Sequence, residues 1–509
     1  MVENTSQAGG PDFSQGIALQ DVAEGQMLLG HVGGQPVLLA RSAGELFAVG
    51  TTCTHYGGPL HEGLLVGDTI RCPWHHACFS LRGGLALRPP ALNDLTAWRV
   101  EQRNGMAFVR EELPAVTPPK LPAAGLPTSV VIVGGGAAGN AAAEKLRKEG
   151  YAGPVTLLSA DPSPPCDRPN LSKDYLAGTA EADWIPLRPP EFYSAHGIDL
   201  KLNTRVTAVD AAAHTLLLSD GKHVSYGALL LATGAAPIRL EVPGASLPHV
   251  HVLRTLADSD ALIAAAGSAR RCVVIGASFI GLEVAASLRT RGLEVHIVAP
   301  EARPMERIMG AAIGDMVRAI HESHGVIFHL GTTVTAIEKD AVTLSTGERL
   351  AADLVVVGIG VRPETSLAEQ AGLAIDRGVT VDEYLRTSAA DIFAAGDIAR
   401  WPDRRTGQRI RVEHWVVAER QGQVAACNML GLKQPFDAVP FFWSQHYDVV
   451  IAYAGHAEQW DRLDVDGDPG AHDCAVSFWH SGRRLAVATV GRDLDSLRAE
   501  AELERQPAA

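Results

Sequence analysis

The stretch SVVIVGGGAAGNAAAEKLRKEG, residues 129–150, decides the fold of most of this chain. A continuous apolar run leads into three glycines, and a strongly helix-forming segment follows them. The run VTLLSA, residues 155–160, then has the composition of a second strand. This succession of strand, turn, helix and strand is typical of a parallel, doubly wound α/β sheet.

The same pattern recurs in RCVVIGASFIGLEVAASLRTRGLEVHIVAP, residues 271–300. An internal duplication of this length indicates two nucleotide-binding domains in one chain. We therefore expect two doubly wound α/β domains of related design.

The first glycine fingerprint is Gly134-x-Gly136-x-x-Gly139, with Ala138 inside it. Such glycines permit the tight turn and let a pyrophosphate approach the helix N-terminus. Asp161 follows the second strand and is placed to bind ribose hydroxyls; the alternative is an ordinary aspartate in a surface loop.

The second fingerprint is Gly276-x-Ser278-x-x-Gly281, in which serine replaces the middle glycine. Glu301 is the candidate for the ribose 2′-hydroxyl, which would favour NADH. Arg303 is close enough in sequence to meet the 2′-phosphate of NADPH instead. We favour NADH and keep NADPH as the alternative.

Composition limits the class of protein. The chain has 509 residues, 20% of them charged, and a formal net charge of -14, which argues against nucleic-acid binding. We see no secretory signal and no apolar run long enough for a transmembrane segment. Seven cysteines in such a chain suit reduced thiols and metal ligands, so we expect a cytoplasmic protein.

The N-terminal part differs from the rest of the chain. We expect a disordered tail over residues 1–15 and a small all-β domain over 16–112, where short β-like runs alternate with glycine-containing turns. Residues 113–128 hold five prolines and form a semi-rigid linker. This linker would let the β domain dock or swing, so its stiffness would matter for function.

Two short patterns in the β domain predict a metal site. Cys53-x-His55 and Cys72-x-x-His75 each supply one thiolate and one imidazole. Zinc sites more often take like ligands in close spacing, whereas a [2Fe–2S] cluster can have two cysteines on one iron and two histidines on the other. Zinc and a vestigial site remain alternatives at this point.

The segment 16–112 resembles the Rieske ferredoxin family. That resemblance implies that Cys72 and His75, rather than His76, complete the ligand set. We interpret His76 as a neighbour that shields the site and Cys78 as a buried small hydrophobe. Gly58 stands where some family members have a disulfide-forming cysteine, which implies a low-potential, ferredoxin-like cluster.

Three further stretches carry a second resemblance. LLLATGAAP (229–237) contains Thr233 and Gly234, GIGVRP (358–363) contains Gly360, and ADIFAAGDIA (390–399) contains Asp397. Together with the fingerprints they resemble the two-dinucleotide flavoprotein family. In that family the aspartate matching Asp397 binds the ribityl chain of FAD.

Within that family the chain resembles ferredoxin reductases of aromatic-ring dioxygenase systems and apoptosis-inducing-factor-like proteins with an N-terminal Rieske domain. The carrying motifs are CDRPNLSK (166–173), GASFIGLEVA (276–285), RVEHW (411–415) and FFWSQHYD (441–448). The resemblance implies FAD binding by 129–250 and 368–438, NAD(P)H binding by 251–367, and a C-terminal α+β domain over 439–509.

The same resemblance implies roles for individual residues. Lys173 would lie near flavin N5, and Glu283 would pair with it and face the nicotinamide; an ordinary ion pair is the alternative. Further contacts to FAD or nicotinamide are implied for Arg168, Phe279, Glu413, His414, Trp415 and Trp443. Phe279 and Trp443 have the alternative of plain core aromatics.

These observations predict an NAD(P)H-dependent oxidoreductase that passes a hydride from NADH to FAD and single electrons to a Rieske [2Fe–2S] cluster. Cys166 alone stands where related disulfide reductases carry two cysteines, so the cluster is the expected electron outlet. The external acceptor would be a ferredoxin, an oxygenase or a small molecule, and a homodimer is possible in this family. The alternative is a redox-sensing protein whose NADH-reduced state controls oligomerisation or partner binding.

Overall fold

The computed structural model describes residues 9–117, 120–121 and 125–508. These residues form two compact units. The first contains the described residues up to 117 together with 453–455 and 492–506, and the second contains the remaining described residues.

In the N-terminal part of the first unit, the described residues form ten strands and two short 3₁₀ helices, Leu19–Asp21 and Leu60–Glu62. The strands are β1 (Ile17–Ala18), β2 (Met27–Val32), β3 (Gln35–Ser42), β4 (Glu45–Gly50), β5 (Leu64–Val66), β6 (Thr69–Arg71), β7 (Cys78–Ser80), β8 (Ala86–Arg88), β9 (Ala97–Arg103) and β10 (Met106–Glu112). They pair antiparallel in a six-stranded sheet of order β1-β10-β9-β4-β3-β2 and a four-stranded sheet β5-β6-β7-β8. The predicted all-β module is confirmed.

The predicted disordered tail is wrong for the residues just before β1. The side chain of Phe13 is fully buried, and its backbone N–H donates to the carbonyl of His31 at 2.9 Å. An aromatic ring with its own site in the core holds this polar, glycine-rich stretch in place. Residues 1–8 of the predicted tail lie outside the described residues.

The second unit begins with the parallel sheet that residues 129–150 predict. Its strands are β11 (Val130–Val133), β12 (Val155–Leu158), β13 (Ile198–Lys201), β14 (Val206–Asp210), β15 (Thr215–Leu218), β16 (His223–Ser225), β17 (Ala228–Leu231) and β18 (Ala235–Pro237). Its helices are α1 (Ala137–Lys148), α2 (Asp174–Ala177) and α3 (Pro190–Ala195), with 3₁₀ helices Arg168–Ser172 and Ala182–Trp184. Strands β13-β12-β11-β17 pair parallel, and β14-β15-β16 form a separate antiparallel sheet.

The duplicated segment repeats this plan. Its strands are β19 (Val250–His251), β20 (Arg271–Ile275), β21 (Glu294–Ala299), β22 (Ile327–Leu330), β23 (Val334–Ile337), β24 (Ala341–Leu344), β25 (Arg349–Ala351), β26 (Leu354–Val357) and β27 (Val361–Pro363). Its helices are α4 (Leu256–Ala266), α5 (Phe279–Thr290) and α6 (Glu306–Ser323), the last interrupted by a kink at Gly310. A parallel sheet of order β19-β26-β20-β21-β22 again accompanies an antiparallel one, β23-β24-β25.

The chain then returns to the first sheet. This part contains α7 (Ser366–Gln370), β28 (Val379–Thr380), β29 (Ile392–Ala394), β30 (Ala399–Pro402), β31 (Arg409–Ile410) and α8 (Trp415–Met429). Strand β29 pairs parallel with β17 and so completes the first sheet as its fifth strand. The carboxyl ends of β11, β17 and β29 therefore meet at one edge, where ligands bind in such folds.

The C-terminal part is a five-stranded sheet followed by a helix. The elements are β32 (Phe441–His446), β33 (Val449–Gly455), β34 (Arg462–Asp468), a 3₁₀ helix Pro469–Ala471, β35 (Asp473–His480), β36 (Arg483–Val490) and α9 (Asp493–Arg505). The sheet order is β32-β33-β36-β35-β34. Helix α9 belongs to the first unit, although the sequence grouped it with the C-terminal domain.

The domain boundaries remain a prediction. In the described part of the linker, residues 113–117, 120–121 and 125–128 contain neither helix nor strand, and the rest of the linker lies outside the described residues. Among the described residues, none of the helices has both the length and the apolar character needed to cross a bilayer.

Candidate functional site

The two predicted metal-binding loops have the same backbone design. The N–H of Cys53 donates to the carbonyl of Gly58 at 2.9 Å, and the N–H of Cys72 donates to that of Ala77 at 2.8 Å. Each cysteine thus opens a loop that is closed five residues later. The second loop connects β6 and β7, whose antiparallel pairing fixes its two ends.

The four predicted ligands face one another in pairs. Nδ1 of His55 lies 3.1 Å from Nδ1 of His75, and their rings meet edge to face. Two nitrogen ligands on one metal ion, at bonds of about 2.1 Å, stand roughly 3 Å apart. The two histidines are therefore arranged to share one metal ion.

The pKa shifts of His55 and Cys72 favour the forms that bind metals. Burial lowers the pKa of His55 to about 3, so the imidazole is neutral. The side chains of Cys53 and Cys72 share a hydrogen bond, which raises the pKa of the first thiol and lowers that of the second. A neutral imidazole and a thiolate are the forms that bind metals.

Gly58 is a close-approach position. A Cβ added there would lie 2.7 Å from the Sγ of Cys72. Glycine therefore lets the first loop pass directly over the second cysteine. A Cβ on Gly58 would also lie 3.2 Å from Cδ2 of Trp74, and neither position carries the thiol for the bracing disulfide that some Rieske proteins contain.

The donor set suits a binuclear cluster. In a [2Fe–2S] cluster each iron takes only two protein ligands, and bridging sulfides supply the rest. The donor set of two cysteines and two facing histidines meets that requirement.

His76 makes a different contact. Its ring is fully buried, and its Nδ1 lies 3.0 Å from the Glu500 carboxylate on α9. His76 is therefore a partner of Glu500, whereas the facing pair consists of His55 and His75. The buried Cys78 thiol has its pKa raised, chiefly by desolvation, as expected of a small hydrophobe in the core.

The two glycine fingerprints have matching geometry. Gly134 has φ +118° and Gly276 has φ +112°, values that L side chains rarely adopt. A Cβ on Gly134 would lie 2.1 Å from the carbonyl oxygen of Ala232, and one on Gly276 would lie 2.3 Å from that of Gly358. Each turn leads directly into a helix, α1 after Gly136 and α5 after Ser278.

A second pair of glycines brings each helix close to its strand. A Cβ on Gly139 would lie 1.9 Å from the carbonyl oxygen of Gly134, and one on Gly281 would lie 2.2 Å from that of Gly276. The duplication predicted from the sequence is therefore also present in the backbone.

Cationic side chains lie at the edge of the first sheet. Arg168 donates to Asp161 at 3.0 Å, and its Nη1 lies 3.6 Å from a Cβ position on Gly136. Arg254, which the sequence did not single out, donates to Asp397 at 2.6 Å. Burial and then the charge of Arg254 lower the pKa of Arg168, so the two cations repel each other.

This edge fits the pyrophosphate and ribityl groups of FAD. Two arginines near a glycine turn would be stabilised by a doubly charged anion. Within the described part of the chain, the buried Nε of Arg254 and Nδ1 of His414 lack a hydrogen-bond partner. A polar cofactor would satisfy such groups.

Lys173 and Glu283 form the ion pair predicted from the sequence. Nζ of Lys173 lies 2.7 Å from Oε2 of Glu283, and both side chains are largely buried. Two serines, which sequence reasoning missed, complete the site: Ser172 donates to Glu283 Oε2 at 2.6 Å and Ser444 donates to Oε1 at 2.7 Å. The carboxylate is therefore held by three donors from two segments, residues 172–173 and strand β32.

The polar contacts continue beyond Ser444. Its Oγ lies 3.3 Å from Nε2 of His446, whose Nδ1 lies 3.1 Å from Nε2 of His321. All three side chains are fully buried. Strand β32 and helix α6 are thus joined by a hydrogen-bonded histidine pair.

Aromatic side chains lie beside this site. Phe279 packs edge to face on Phe442 at 4.9 Å, and Phe442 lies 4.4 Å from the ring of His414. Phe442 therefore links two residues that the sequence predicted as separate contacts. Trp443 is nearly buried and stacks with Phe441 at 6.4 Å.

Other predicted residues have mainly structural contacts. Thr233 donates to the carbonyl of Glu364 at 2.7 Å, and Glu413 is exposed and accepts from Arg411 at 2.6 Å. The Ala138 carbonyl oxygen would lie 2.1 Å from a Cβ on Gly422, which shows how closely α1 and α8 approach.

The remaining predicted positions lie in loops or at helix starts. Gly234 has φ +71° and Gly360 has φ +106°. Trp415 is the first residue of α8 and packs on the core of the first sheet. The carbonyl of Glu301 accepts the N–H of Gly331 at 3.1 Å.

The seven cysteines, all within the described residues, are free and buried. Burial raises the pKa of the Cys166 thiol to about 11, so it is unreactive at neutral pH.

The structure combines two duplicated dinucleotide folds, a buried Lys–Glu pair between them and a two-loop Cys₂His₂ site. This combination defines a flavin-dependent pyridine nucleotide oxidoreductase with its own iron–sulfur module. Comparisons with known proteins agree with this class. The family model described as pyridine nucleotide-disulphide oxidoreductase matches residues 128–422, that of the Rieske [2Fe-2S] domain matches 16–99, and that of the reductase C-terminal domain matches 441–507.

Two curated relatives and one solved structure support the assignment. Apoptosis-inducing factor 3 of Homo sapiens is 33% identical over 93% of this chain and 81% of its own. The ferredoxin reductase subunit of a 5,5'-dehydrodivanillate O-demethylase from a Sphingobium species is 39% identical over 73% of this chain and 92% of its own. The covalent putidaredoxin reductase–putidaredoxin complex gives a TM-score of 0.72 at 35% identity, covering 75% of this chain and 94% of that one.

The chain belongs to the pyridine nucleotide-disulphide oxidoreductase family and carries an N-terminal Rieske [2Fe-2S] domain. It is an oxidoreductase that uses FAD, NAD(P)H and a [2Fe–2S] cluster. The predicted fold class and cofactors are confirmed.

Proposed function

We propose that this protein takes a hydride from NADH and delivers electrons one at a time, through its own cluster, to an external redox protein. The observation that carries the proposal is that one chain combines the Lys173–Glu283 site between two dinucleotide folds with a Cys₂His₂ cluster site. Bound FAD supplies the conversion of a two-electron donor into single electrons, and the cluster accepts them singly.

Lys173 and Glu283 orient the reacting rings in this proposal. Lys173 would donate to the flavin, and Glu283, held by Ser172 and Ser444, would present its carboxylate to the nicotinamide amide. A carboxylate that is fixed by three donors keeps its position when the substrate arrives. Phe279 would stack near the flavin and give way to the nicotinamide.

Several residues would hold the cofactors. The FAD pyrophosphate would lie at the N-terminus of α1, near Arg168 and Arg254, with Asp161 and Asp397 on the sugar groups. The second dinucleotide would lie at the N-terminus of α5. Cys53, His55, Cys72 and His75 would bind the cluster.

The surroundings of Arg303 favour NADH over NADPH. Its guanidinium donates to Asp315 at 2.8 Å and to Glu306 at 3.0 Å. Two carboxylates neutralise the cation that would otherwise attract a 2′-phosphate. Glu301 would then accept from the 2′-hydroxyl, as the sequence predicts.

The acceptor in this proposal is a ferredoxin-type protein or an oxygenase component. Putidaredoxin reductase was solved in a covalent complex with putidaredoxin, and the Sphingobium relative is a ferredoxin reductase subunit. A homodimer is part of the same proposal. A cytoplasmic location is also part of it, because all seven cysteines are free.

Anaerobic stopped-flow mixing with NADH tests the relay. We expect flavin absorbance to bleach first and cluster absorbance second, with NADPH much slower. In C53S, which removes one cluster ligand, the flavin should still bleach while reduction of an added ferredoxin is lost. A wild-type cluster that stays oxidised beside a fully reduced flavin would refute the proposal.

The redox-sensing alternative has the similarity to apoptosis-inducing factor 3 in its favour. That similarity covers the same flavin and Rieske regions as the relay requires, so it does not favour sensing over electron transfer. Slow turnover with every acceptor, together with an NADH-dependent shift in size-exclusion elution, would favour the sensing role instead.

A further inference from the structure

The second predicted metal-binding loop, which carries Cys72 and His75, is contacted by a carboxylate from α9. Glu500 on α9 is fully buried, and its Oε2 accepts from Arg71 Nη1 at 3.2 Å and lies 3.0 Å from Nδ1 of His76. Arg71 directly precedes Cys72, and His76 directly follows His75. One carboxylate oxygen therefore contacts both ends of the segment that carries two cluster ligands.

Arg71 has a second carboxylate partner on α9. Arg71 also donates through Nη2 to Glu504, one turn further along α9, at 2.7 Å. The side chain of Arg71 is only 4% exposed. Buried charges with several partners in good geometry are rigidly placed, because any rotation leaves a charge unpaired.

The backbone of the loop needs such support at His76. This residue has φ +59°, in the left-handed region, and its N–H donates to the carbonyl of Cys72 at 3.2 Å. Side-chain anchoring of His76 therefore also fixes the turn that places His75.

We propose that Glu500 is a positioning residue for the iron–sulfur cluster: it holds the Cys72–His75 loop at both ends, through Arg71 before Cys72 and His76 after His75. The inference builds on the proposed cluster function. Groups outside the ligand sphere that fix ligand orientation typically change metal retention by 10- to 100-fold when they are removed. Neither the Rieske motif nor the linker points to this contribution from α9.

The test compares E500Q with E502Q in the full-length holoprotein. Glutamine keeps the size of the side chain and removes its charge, and Glu502 is an exposed glutamate on the same helix. Readouts are the electron spin resonance spectrum of the dithionite-reduced cluster, its midpoint potential, and the rate of cluster loss to a chelator.

For E500Q we expect shifted g-values, a higher midpoint potential and cluster loss about tenfold faster than in wild type. For E502Q we expect wild-type values, because an exposed charge is screened by solvent. E500Q values equal to those of E502Q in all three measurements would overturn the proposal. Faster loss with an unchanged spectrum and potential would also overturn it, since α9 would then contribute stability only.

H76N provides a second variant in case E500Q does not fold. Asparagine tolerates a positive φ but is too short to reach Glu500 in the same way. It should shift the spectrum in the same manner as E500Q, and an unaltered spectrum would contradict the proposal. A wild-type protein without acid-labile sulfide would instead refute the cluster function itself.

Discussion

Gly58 shows how strongly a single position can constrain the cluster site. Its missing side chain is what allows the first loop to lie against the sulfur of Cys72. Because the contact distance for a Cβ would be 2.7 Å, even the smallest side chain must displace the sulfur or the loop.

We predict that G58A loses most of its cluster while the flavin site remains intact. The measurements are acid-labile sulfide and the visible absorbance of the purified protein. G50A is the matched control, because a Cβ there meets Leu95 at an ordinary 3.8 Å. Full sulfide content in G58A would show that the loops can move apart without loss of the cluster.

Lys173 is the second residue whose replacement has a defined consequence. In K173M the flavin should be reduced by NADH roughly 10- to 100-fold more slowly, because positioning of the reacting groups is lost. Anaerobic stopped-flow absorbance gives the rate. K201M, which removes an exposed lysine paired with Asp199 at 3.1 Å, should behave as wild type. Equal rates in both variants would assign the Lys173–Glu283 pair a structural role.

The sequence identified residues through motifs but could not identify their partners. Cys72 and Lys173 were predicted because each lies in a short, characteristic pattern. Ser172 and Ser444 lie inside the quoted motifs without a role that the motifs assign, and Arg254 lies outside them. The contacts of all three arise only when distant segments fold together. Tertiary packing, not local spacing, decides which serine meets a given carboxylate.

At the scale of elements, the contact between α6 and β32 is sensitive to acid. Burial, and secondarily the charge of Lys173, lower the pKa of His446 to about 3. Burial also lowers the pKa of His321 well below its ordinary value. In the unfolded chain both histidines would have a pKa of about 6.5.

Stability from this contact is therefore complete above pH 6.5 and is lost as the pH falls toward 3. The unfolded state then binds protons that the folded state does not, at up to about 1.4 kcal/mol per pH unit for each histidine. We predict that H446Q shows a shallower decrease in thermal midpoint between pH 7.5 and 5, measured by the fluorescence of released flavin. H223Q, at an exposed position, should keep the wild-type slope.

The elements themselves were largely predictable where their pattern was strong. The two strand–glycine–helix units at Gly134 and Gly276 were correct because the turn admits few other residues. The packing of Phe13 and of α9 was not predictable. A single aromatic or an amphipathic helix does not encode which surface it will cover.

At the scale of the whole molecule, the linker is only one of several covalent connections between the two units. The chain passes between them again on either side of 453–455 and at 491–492. The expectation that linker stiffness matters for function therefore needs a direct test.

We predict that replacing the five prolines of 113–128 by serine changes the rate of flavin-to-cluster transfer by less than about twofold, because the additional connections limit the effect of the linker on effective concentration. Stopped-flow absorbance of the cluster gives this rate, and NADH reduction of the flavin serves as the internal control. A tenfold slower cluster phase would show that the linker alone sets the transfer.

Helix α9 has a consequence for biosynthesis. The cluster module is completed by residues that a ribosome makes about 380 positions after the linker begins, roughly 20 to 75 seconds later at ordinary elongation rates. The nascent module would lack Glu500 during that interval. Insertion of iron and sulfide should therefore follow the synthesis of α9, and a chain that is truncated before this helix should assemble the cluster poorly.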